Sequence, residues 1–284
     1  MNKKFSVLMS VYIKEKASNL EEAINSIYEN QKLKPNEIIL VEDGPLTQEL
    51  YDCIENLKIK IGNILKIVKL ERNMGLGEAL SRGLLECSNE LVARMDTDDI
   101  AHSDRFLKQV EYFNQNEKID ILGTYMFEFS EKPTNIISIK EAPMKDIGIY
   151  IKRRCPLNHP TVMFKKSKVI EAGNYRSFYL NEDTYLWARM YSKGAIFANL
   201  PETLLYFRVD ENTFKRRGGL KYTKSEWDIQ KEFLKLGITT KLDFFINMVL
   251  KTGVRLLPNS LRRYIYIKFL RKKVRKGEKW KFLL

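Results

Sequence analysis

Apolar runs of strand length alternate with helix-like periods over the first hundred residues. Phe5-Ser-Val-Leu-Met-Ser-Val11 reads as a buried strand, and Asn19–Asn30 as a helix with Leu20, Ala23, Ile24 and Ile27 on one face. Glu37–Val41, Ile64–Leu70 and Glu90–Met95 predict three more strands, with helices near Leu46–Leu57 and Leu76–Cys87 between them. This succession of βα repeats argues for an α/β fold: a mostly parallel sheet covered by helices on both faces, with ligands at the carboxyl ends of the strands.

Beyond residue 100 the alternation loosens. Ser103 is placed to cap a helix carrying Phe106, Leu107, Val110 and Phe113, and Ile119–Phe129, Ile136–Ile139 and Thr161–Phe164 read as strands of a less regular half. A helix is expected after Asn181, with Leu186, Trp187 and Met190 as its inner face, and Thr203–Val209 as a closing strand. From Gly219 the pattern is helical, and Pro258 opens a last segment. The expected organisation is therefore a body over 1–215, divided near residue 100, and a helical region over 216–284.

Composition adds the partners. With 284 residues, 44% of them apolar, the chain can bury a sizeable core. Its net charge of +13 suggests an anionic partner, but the excess is localised. Residues 241–284 hold thirteen Lys and Arg against only Asp243 and Glu278, which leaves the rest of the chain nearly neutral. In that tail Phe244, Phe245, Ile246, Met248, Val249, Leu250, Leu256 and Leu257 accompany Arg262, Arg263, Lys268, Arg271, Lys272, Lys273, Arg275 and Lys276. Bulky apolar residues beside clustered cations suit a helix lying on an anionic membrane surface, and equally a solvated helix packed on the body. Nucleic acid is not expected, because no recognised motif accompanies the charge. Cys53, Cys87 and Cys155 are far apart and form no C-x-x-C pair, which disfavours disulfide and zinc–cysteine frameworks. Neither a leader nor a membrane-spanning stretch is expected, so the reading is cytoplasmic, with any membrane contact peripheral.

The chemistry lies at the strand ends. The fourth strand runs into Arg94-Met-Asp96-Thr-Asp98-Asp99, three carboxylates whose mutual repulsion calls for compensation. A solvated turn is one solution; after the fourth strand of a βα series, a hard divalent ion such as Mg²⁺ shared with a diphosphate is the other. The second strand ends in Glu42-Asp43-Gly44, where an acid can accept hydrogen bonds from a base or ribose. Tyr12 follows the first strand and offers a ring for a planar base. Asn73-Met-Gly75-Leu-Gly77 follows the third and lets the backbone approach a ligand. Leu80 stands where a dinucleotide fingerprint needs its last glycine, so a nicotinamide or flavin enzyme is disfavoured. Glu182-Asp183 opens the later helix. Such acids are ordinary at a helix N-terminus, yet paired with an upstream metal site they offer a base for a group transfer from a diphosphate.

In this order, Tyr12, Glu42-Asp43-Gly44, Asn73-x-Gly75, Asp96-x-Asp98-Asp99 and Glu182-Asp183 resemble the family 2 nucleotide-sugar glycosyltransferases of GT-A fold. Arg94-Met-Asp-Thr-Asp-Asp and Asn158-His-Pro are similar to the bacterial amylovoran, exopolysaccharide and O-antigen group. The resemblance implies a UDP-sugar donor bound in residues 1–100 and a saccharide acceptor, often lipid-linked, bound in 101–215. It implies that Asp43 binds the base, that Asp96 touches the ribose or the metal shell, and that Asp98 is the principal ligand of Mn²⁺ or Mg²⁺. Asp183 is implied as the catalytic base and Glu182 as its catalytic neighbour that helps position acceptor or donor, with inversion at the anomeric carbon. Two rival classes are a GT-A-like nucleotidyltransferase and a basic-tailed nucleic-acid-binding protein. The former wants a glycine-rich loop after the first strand, where this chain has Ser10-Val-Tyr-Ile-Lys-Glu-Lys16.

Overall fold

The computed structural model describes residues 3–145, 147–210 and 218–258, together with 261, 264, 268 and 271–273. The first half follows the alternation: β1 (Phe5–Val11), α1 (Ala17–Ile27), β2 (Glu37–Glu42), α2 (Gln48–Ile61), β3 (Leu65–Lys69), α3 (Leu76–Glu86) and β4 (Leu91–Arg94). These strands pair in parallel in the order β3-β2-β1-β4, so the chain reverses direction across the sheet between β1 and β4. Ligands of open α/β sheets bind at such a reversal, beyond the carboxyl ends of the strands.

The second half is β5 (Ile100–Ala101), α4 (Arg105–Gln115), β6 (Ile121–Phe129), β7 (Ile136–Lys140), α5 (Ile147–Ile151), β8 (Met163–Lys165), α6 (Lys166–Glu171), α7 (Glu182–Ser192) and β9 (Phe197–Arg208). Here the sheet turns mixed: β8 is antiparallel to both β4 and β6, β7 is antiparallel to β6, and β9 is parallel to β6. The closing strand starts at Phe197, six residues before the expected Thr203. Between the Thr124–Leu200 and Tyr125–Thr203 pairs the register shifts, so Pro201 and Glu202 bulge from the strand and break the pattern a strand would show in sequence. Ser103 is not the cap of α4. The N-cap is Asp104, without a side-chain capping bond, and the Ser103 carbonyl accepts from the Lys32 N–H instead.

Alternation along β1 divides the core. Phe5, Val7, Met9 and Val11 pack with α1, α2 and α4, while Leu8 on the other face joins Leu80, Leu84, Leu186 and Trp187 of α3 and α7. The C-terminal helices are α8 (Gly219–Lys235) and α9 (Lys241–Leu256), followed by a short β10 (Lys272–Lys273) antiparallel to β7. Ile229, Phe233 and Ile238 place α8 in the same core cluster as Trp187. By contrast, α9 buries only Asn247 and Met248, and leaves Leu242, Phe245, Val249, Leu250 and Leu256 between 55% and 69% exposed. Positions 242, 245, 249 and 256 share one helical face. Arg262, Arg263, Arg275 and Lys276 lie outside the described residues.

Glu226 fastens α9 to α8 through Lys251 and Arg255, both at 2.8 Å. Burial alone would raise its carboxyl pKa, but the two cations outweigh it and hold it at about 2. A folded-state value below the free one contributes stability above the free carboxylate range and loses it as pH falls toward 2, by about 3 kcal/mol for a shift of this size. Glu226→Gln should therefore melt several degrees below the wild type at pH 7, with the difference vanishing near pH 2. A melting-temperature gap that is constant across this pH range, followed by circular dichroism, would contradict the assignment.

Candidate active site

The strand end that carries the acids is held rigidly. Arg105, fully buried at the start of α4, donates from Nη2 to the Arg94 carbonyl at 2.6 Å and from Nη1 to the Met95 sulfur at 3.2 Å. Beyond this clamp one carboxylate oxygen each from Asp96, Asp98 and Asp99 lies within 4.8 Å of the others. Arg94, 0% exposed, pairs through Nη2 with Asp96 Oδ1, while its Nε and Nη1 have no hydrogen-bond partner among the described residues. Asp99 Oδ1 accepts from the Arg208 N–H at 2.9 Å; its Oδ2 is buried and, among the described residues, without a partner. Arg208 Nε also donates to the Asp98 carbonyl at 2.8 Å, so β9 locks the acidic segment from the far side. Glu15, from the loop after β1, accepts from the Thr97 hydroxyl at 3.0 Å.

These carboxylates strain one another. Burial, then Asp96, then Glu15 raise the Asp98 carboxyl above the usual range; burial, Asp98 and Asp96 raise Asp99 well above it. The guanidinium groups of Arg94 and Arg105 do not offset this much negative charge, since the Asp98 and Asp99 carboxyls remain raised. A hard divalent cation fits the donors present: the oxygens are close, all are carboxylate, and the buried Asp99 Oδ2 has no other partner among the described residues.

The loops after β2 and β3 form the adjoining wall. Asp43 is 4% exposed, and its two oxygens accept from the Met74 and Gly75 N–H groups at 2.6 and 3.1 Å. Asn73 Nδ2 donates back to the Asp43 carbonyl at 3.2 Å. The loops touch so closely that a Cβ on Gly44, whose φ is +85°, would stand 2.5 Å from the Asn73 nitrogen. Gly77 is equally constrained from the other side, where a Cβ would meet the Arg176 carbonyl at 2.8 Å. Tyr12 stands at the mouth, 42% exposed.

The second acidic group heads α7. Leu180 has a φ of +55°, a left-handed conformation that costs a leucine about 1 kcal/mol. Ser225 of α8 holds this turn: its Oγ donates to the Tyr179 carbonyl at 2.6 Å and accepts from Asn181 Nδ2 at 3.0 Å. Three residues past Leu180, Asp183 Oδ1 accepts from the N–H and hydroxyl of Thr184 at 2.6 and 3.2 Å. Among the described residues its Oδ2 has only the Cys155 thiol, at 4.0 Å. Burial, then Asp183, pushes that thiol up to about 12, so it stays a neutral S–H donor.

Between the two acidic groups lies a ring cluster. His159 Nε2 is 3.3 Å from the Tyr175 hydroxyl, and His159 and Tyr175 both pack on Trp187. Burial raises the Tyr175 hydroxyl; Arg94 opposes the shift, and Asp183 and Asp96 both add to it. One tyrosine thus stands in the field of both acidic groups. Burial and Arg94 together push the His159 imidazole well below its usual value, so it is neutral.

The glycosyl transferase family 2 model matches residues 6–171, more than half of the chain and most of these elements. The chain belongs to that family. Full-length relatives agree. A UDP-Gal:alpha-D-GlcNAc-diphosphoundecaprenol beta-1,3-galactosyltransferase of Escherichia coli is 40% identical over 270 residues, covering 95% of this chain and 97% of its own. The amylovoran biosynthesis glycosyltransferase AmsE of Erwinia amylovora is 37% identical over 266 residues, 93% of this chain and 98% of its own. Among solved structures, Staphylococcus aureus TarS 1-349 in complex with UDP-GlcNAc superposes with a TM-score of 0.67 at 16% identity, covering 93% of this chain and 75% of that one. The mannosyltransferase PcManGT of Pyrobaculum calidifontis, with GDP-Man and Mn²⁺, gives 0.62 at 14%, covering 89% and 70%. At these identities the shared property is the GT-A fold, to which this chain adds its C-terminal helices α8 and α9.

Within this family 2 glycosyltransferase the residues singled out in sequence fall in two groups: Tyr12, Asp43, Asn73, Gly75, Asp96 and Asp98 along the strand ends, Glu182 and Asp183 at the head of α7. Asp43 is engaged by the loop it faces rather than open to solvent. Arg153, one of a basic pair, is tied to Asp243 and Asn247 of α9. Sequence reading left Glu15, Arg94, Cys155, Tyr175, Thr184 and Arg208 without a role. A cation immediately before three acids was a signal for Arg94; the others are brought in by folding.

Proposed function

We propose that this chain is an inverting hexosyl- or N-acetylhexosaminyltransferase, taking its sugar from a UDP-sugar and extending a lipid-linked saccharide in bacterial surface-polysaccharide synthesis. The observation that carries the reading is the pairing of a carboxylate cluster beyond β4 with Asp183 at the head of α7, both within the field of Tyr175. The names of the E. coli and Erwinia relatives supply the donor, acceptor and pathway classes. On the donor side Tyr12, Asp43, Asn73 and Gly75 contact base and ribose. Asp98 and Asp96, with Asp99, hold Mn²⁺ or Mg²⁺, which when bound neutralises the charge of the departing diphosphate. Asp183 Oδ2 accepts the proton of the acceptor hydroxyl as that oxygen attacks the anomeric carbon opposite the leaving UDP, and a single displacement inverts the configuration. Thr184 occupies Oδ1 and fixes which oxygen faces the acceptor; Glu182 lies beside it.

Calorimetry with UDP tests the donor side. Binding should appear with Mn²⁺ or Mg²⁺ and disappear with EDTA; no binding under any metal condition removes the donor assignment.

Membrane contact is the remaining element. Among the described residues no helix is long and apolar enough to cross a bilayer. The exposed apolar face of α9, in a stretch whose sequence is rich in Lys and Arg, is the surface we assign to an anionic leaflet at the cytoplasmic side, while Lys251 and Arg255 are engaged by Glu226 and Arg271 by Glu128. In vesicle flotation the full-length protein should rise with anionic liposomes, and less so at high salt. The variant Leu242→Glu/Phe245→Glu/Val249→Glu should stay at the bottom, and identical flotation would exclude this face.

A further inference from the structure

Between the turn that precedes α7 and the outer face of α8 lies a cavity of about 410 Å³, lined by Phe178, Tyr179, Lys221, Lys224, Ser225 and Asp228. The four α8 residues are spaced to share one face of the helix. Lys221 Nζ sits 4.1 Å over the Tyr179 ring. Lys224 is exposed and, among the described residues, has no ion-pair partner. Asp228, the one acid of the lining, is paired with Lys231 at 3.1 Å. The cavity therefore presents two ammonium groups and two aromatic rings.

Its position gives these groups meaning. The aromatic wall is continuous with the machinery of α7: Phe178 packs on Tyr185 at 5.1 Å between ring centroids, and Ser225 holds the turn leading to Asp183. On the opposite side of α8, Tyr222, next to Lys221, lies under the Arg255 guanidinium of α9 at 4.6 Å. Trp227 Nε1 donates to Thr252 of α9 at 3.0 Å. The cavity thus adjoins the turn that leads to the carboxylates of α7, and the helix that forms its other wall, α8, also carries α9 with its exposed apolar residues. A lipid-linked acceptor combines the same three chemistries: hydrocarbon, phosphate and sugar hydroxyl.

We propose that this cavity is the binding site for the diphosphate of a lipid-linked acceptor, Lys221 and Lys224 taking its charge, and Phe178 and Tyr179 flanking the atoms on either side. This rests on the glycosyltransferase reading above and adds a site on the acceptor side. The donor diphosphate belongs elsewhere, at the acidic cluster, where a metal fits. Lysines act on phosphate as point charges, so recognition requires the charge and tolerates Lys→Arg.

Two measurements test it. With a UDP-sugar donor and the full-length enzyme, Lys221→Ala/Lys224→Ala should raise KM at least tenfold for an N-acetylglucosaminyl diphosphate carrying an alkyl chain. The KM for the donor and for the phosphate-free alkyl glycoside should stay within twofold, and Lys221→Arg/Lys224→Arg should restore binding. An unchanged KM for the diphosphate acceptor in the alanine variant overturns the site. Independently of turnover, geranyl diphosphate titrated into protein saturated with UDP and Mn²⁺ should bind the wild type at least tenfold more tightly than the alanine variant. Equal affinity, or no binding to the wild type, also overturns it. If no UDP-sugar supports transfer while geranyl diphosphate still binds in a lysine-dependent way, the donor reading fails and the site stands.

Discussion

Asp183→Asn should abolish glycosyl transfer, with a fall in kcat of roughly a hundred- to ten-thousandfold, while UDP affinity stays within about twofold. The substitution keeps the shape of the side chain, and an amide oxygen can still accept from the N–H and hydroxyl of Thr184. What it removes is the capacity to take a proton at the second oxygen. Single-turnover transfer and UDP calorimetry on the same preparation separate the outcomes. Activity within tenfold of wild type would take the base role from Asp183; a parallel loss of UDP binding would mark the change as damage to the fold.

The second large effect has opposite signs on function and stability. Asp98→Asn removes one charge from three carboxylates whose oxygens lie within 4.8 Å of each other. Because burial, Asp96 and Glu15 all disfavour that charge, the variant should melt at a higher temperature than the wild type in EDTA. Metal-dependent UDP affinity should fall at least tenfold, because the site loses a hard anionic donor. A lower melting temperature in EDTA, or UDP binding still promoted by Mn²⁺ as strongly as in the wild type, would show that Asp98 is not where the charge conflict resides. Such a site is held in an unfavourable charged state for what it binds, the usual form of a trade between stability and activity.

Legibility in sequence followed the distance over which the information travels. Strand β1 was readable because its alternation is local, and the acids of residues 96–99 because a strand end and its loop are contiguous. Strand β9 was shortened in the reading because the bulge at Pro201 and Glu202 is understood only against β6, its neighbour in space. The same holds at the site. Glu15 meets Thr97, Arg208 meets Asp99, and Cys155 meets Asp183 across 82, 109 and 28 residues respectively. No periodicity reports such meetings. The tail illustrates the reverse: its amphipathic composition was evident, yet composition does not say that α8 enters the core while α9 keeps most of its apolar residues outside.

Leu180 has a bearing on how this enzyme can be recombined with its relatives. Its left-handed turn is maintained by Ser225, which belongs to the helical region rather than to the sheet. A chimera made by exchanging everything after residue 216, in the hope of swapping acceptor preference or membrane attachment, would also exchange the residue that sets the pitch of α7. Exchanged segments should therefore carry residues 178–183 together with α8, since the boundary visible in composition is not the boundary of the part that moves as one.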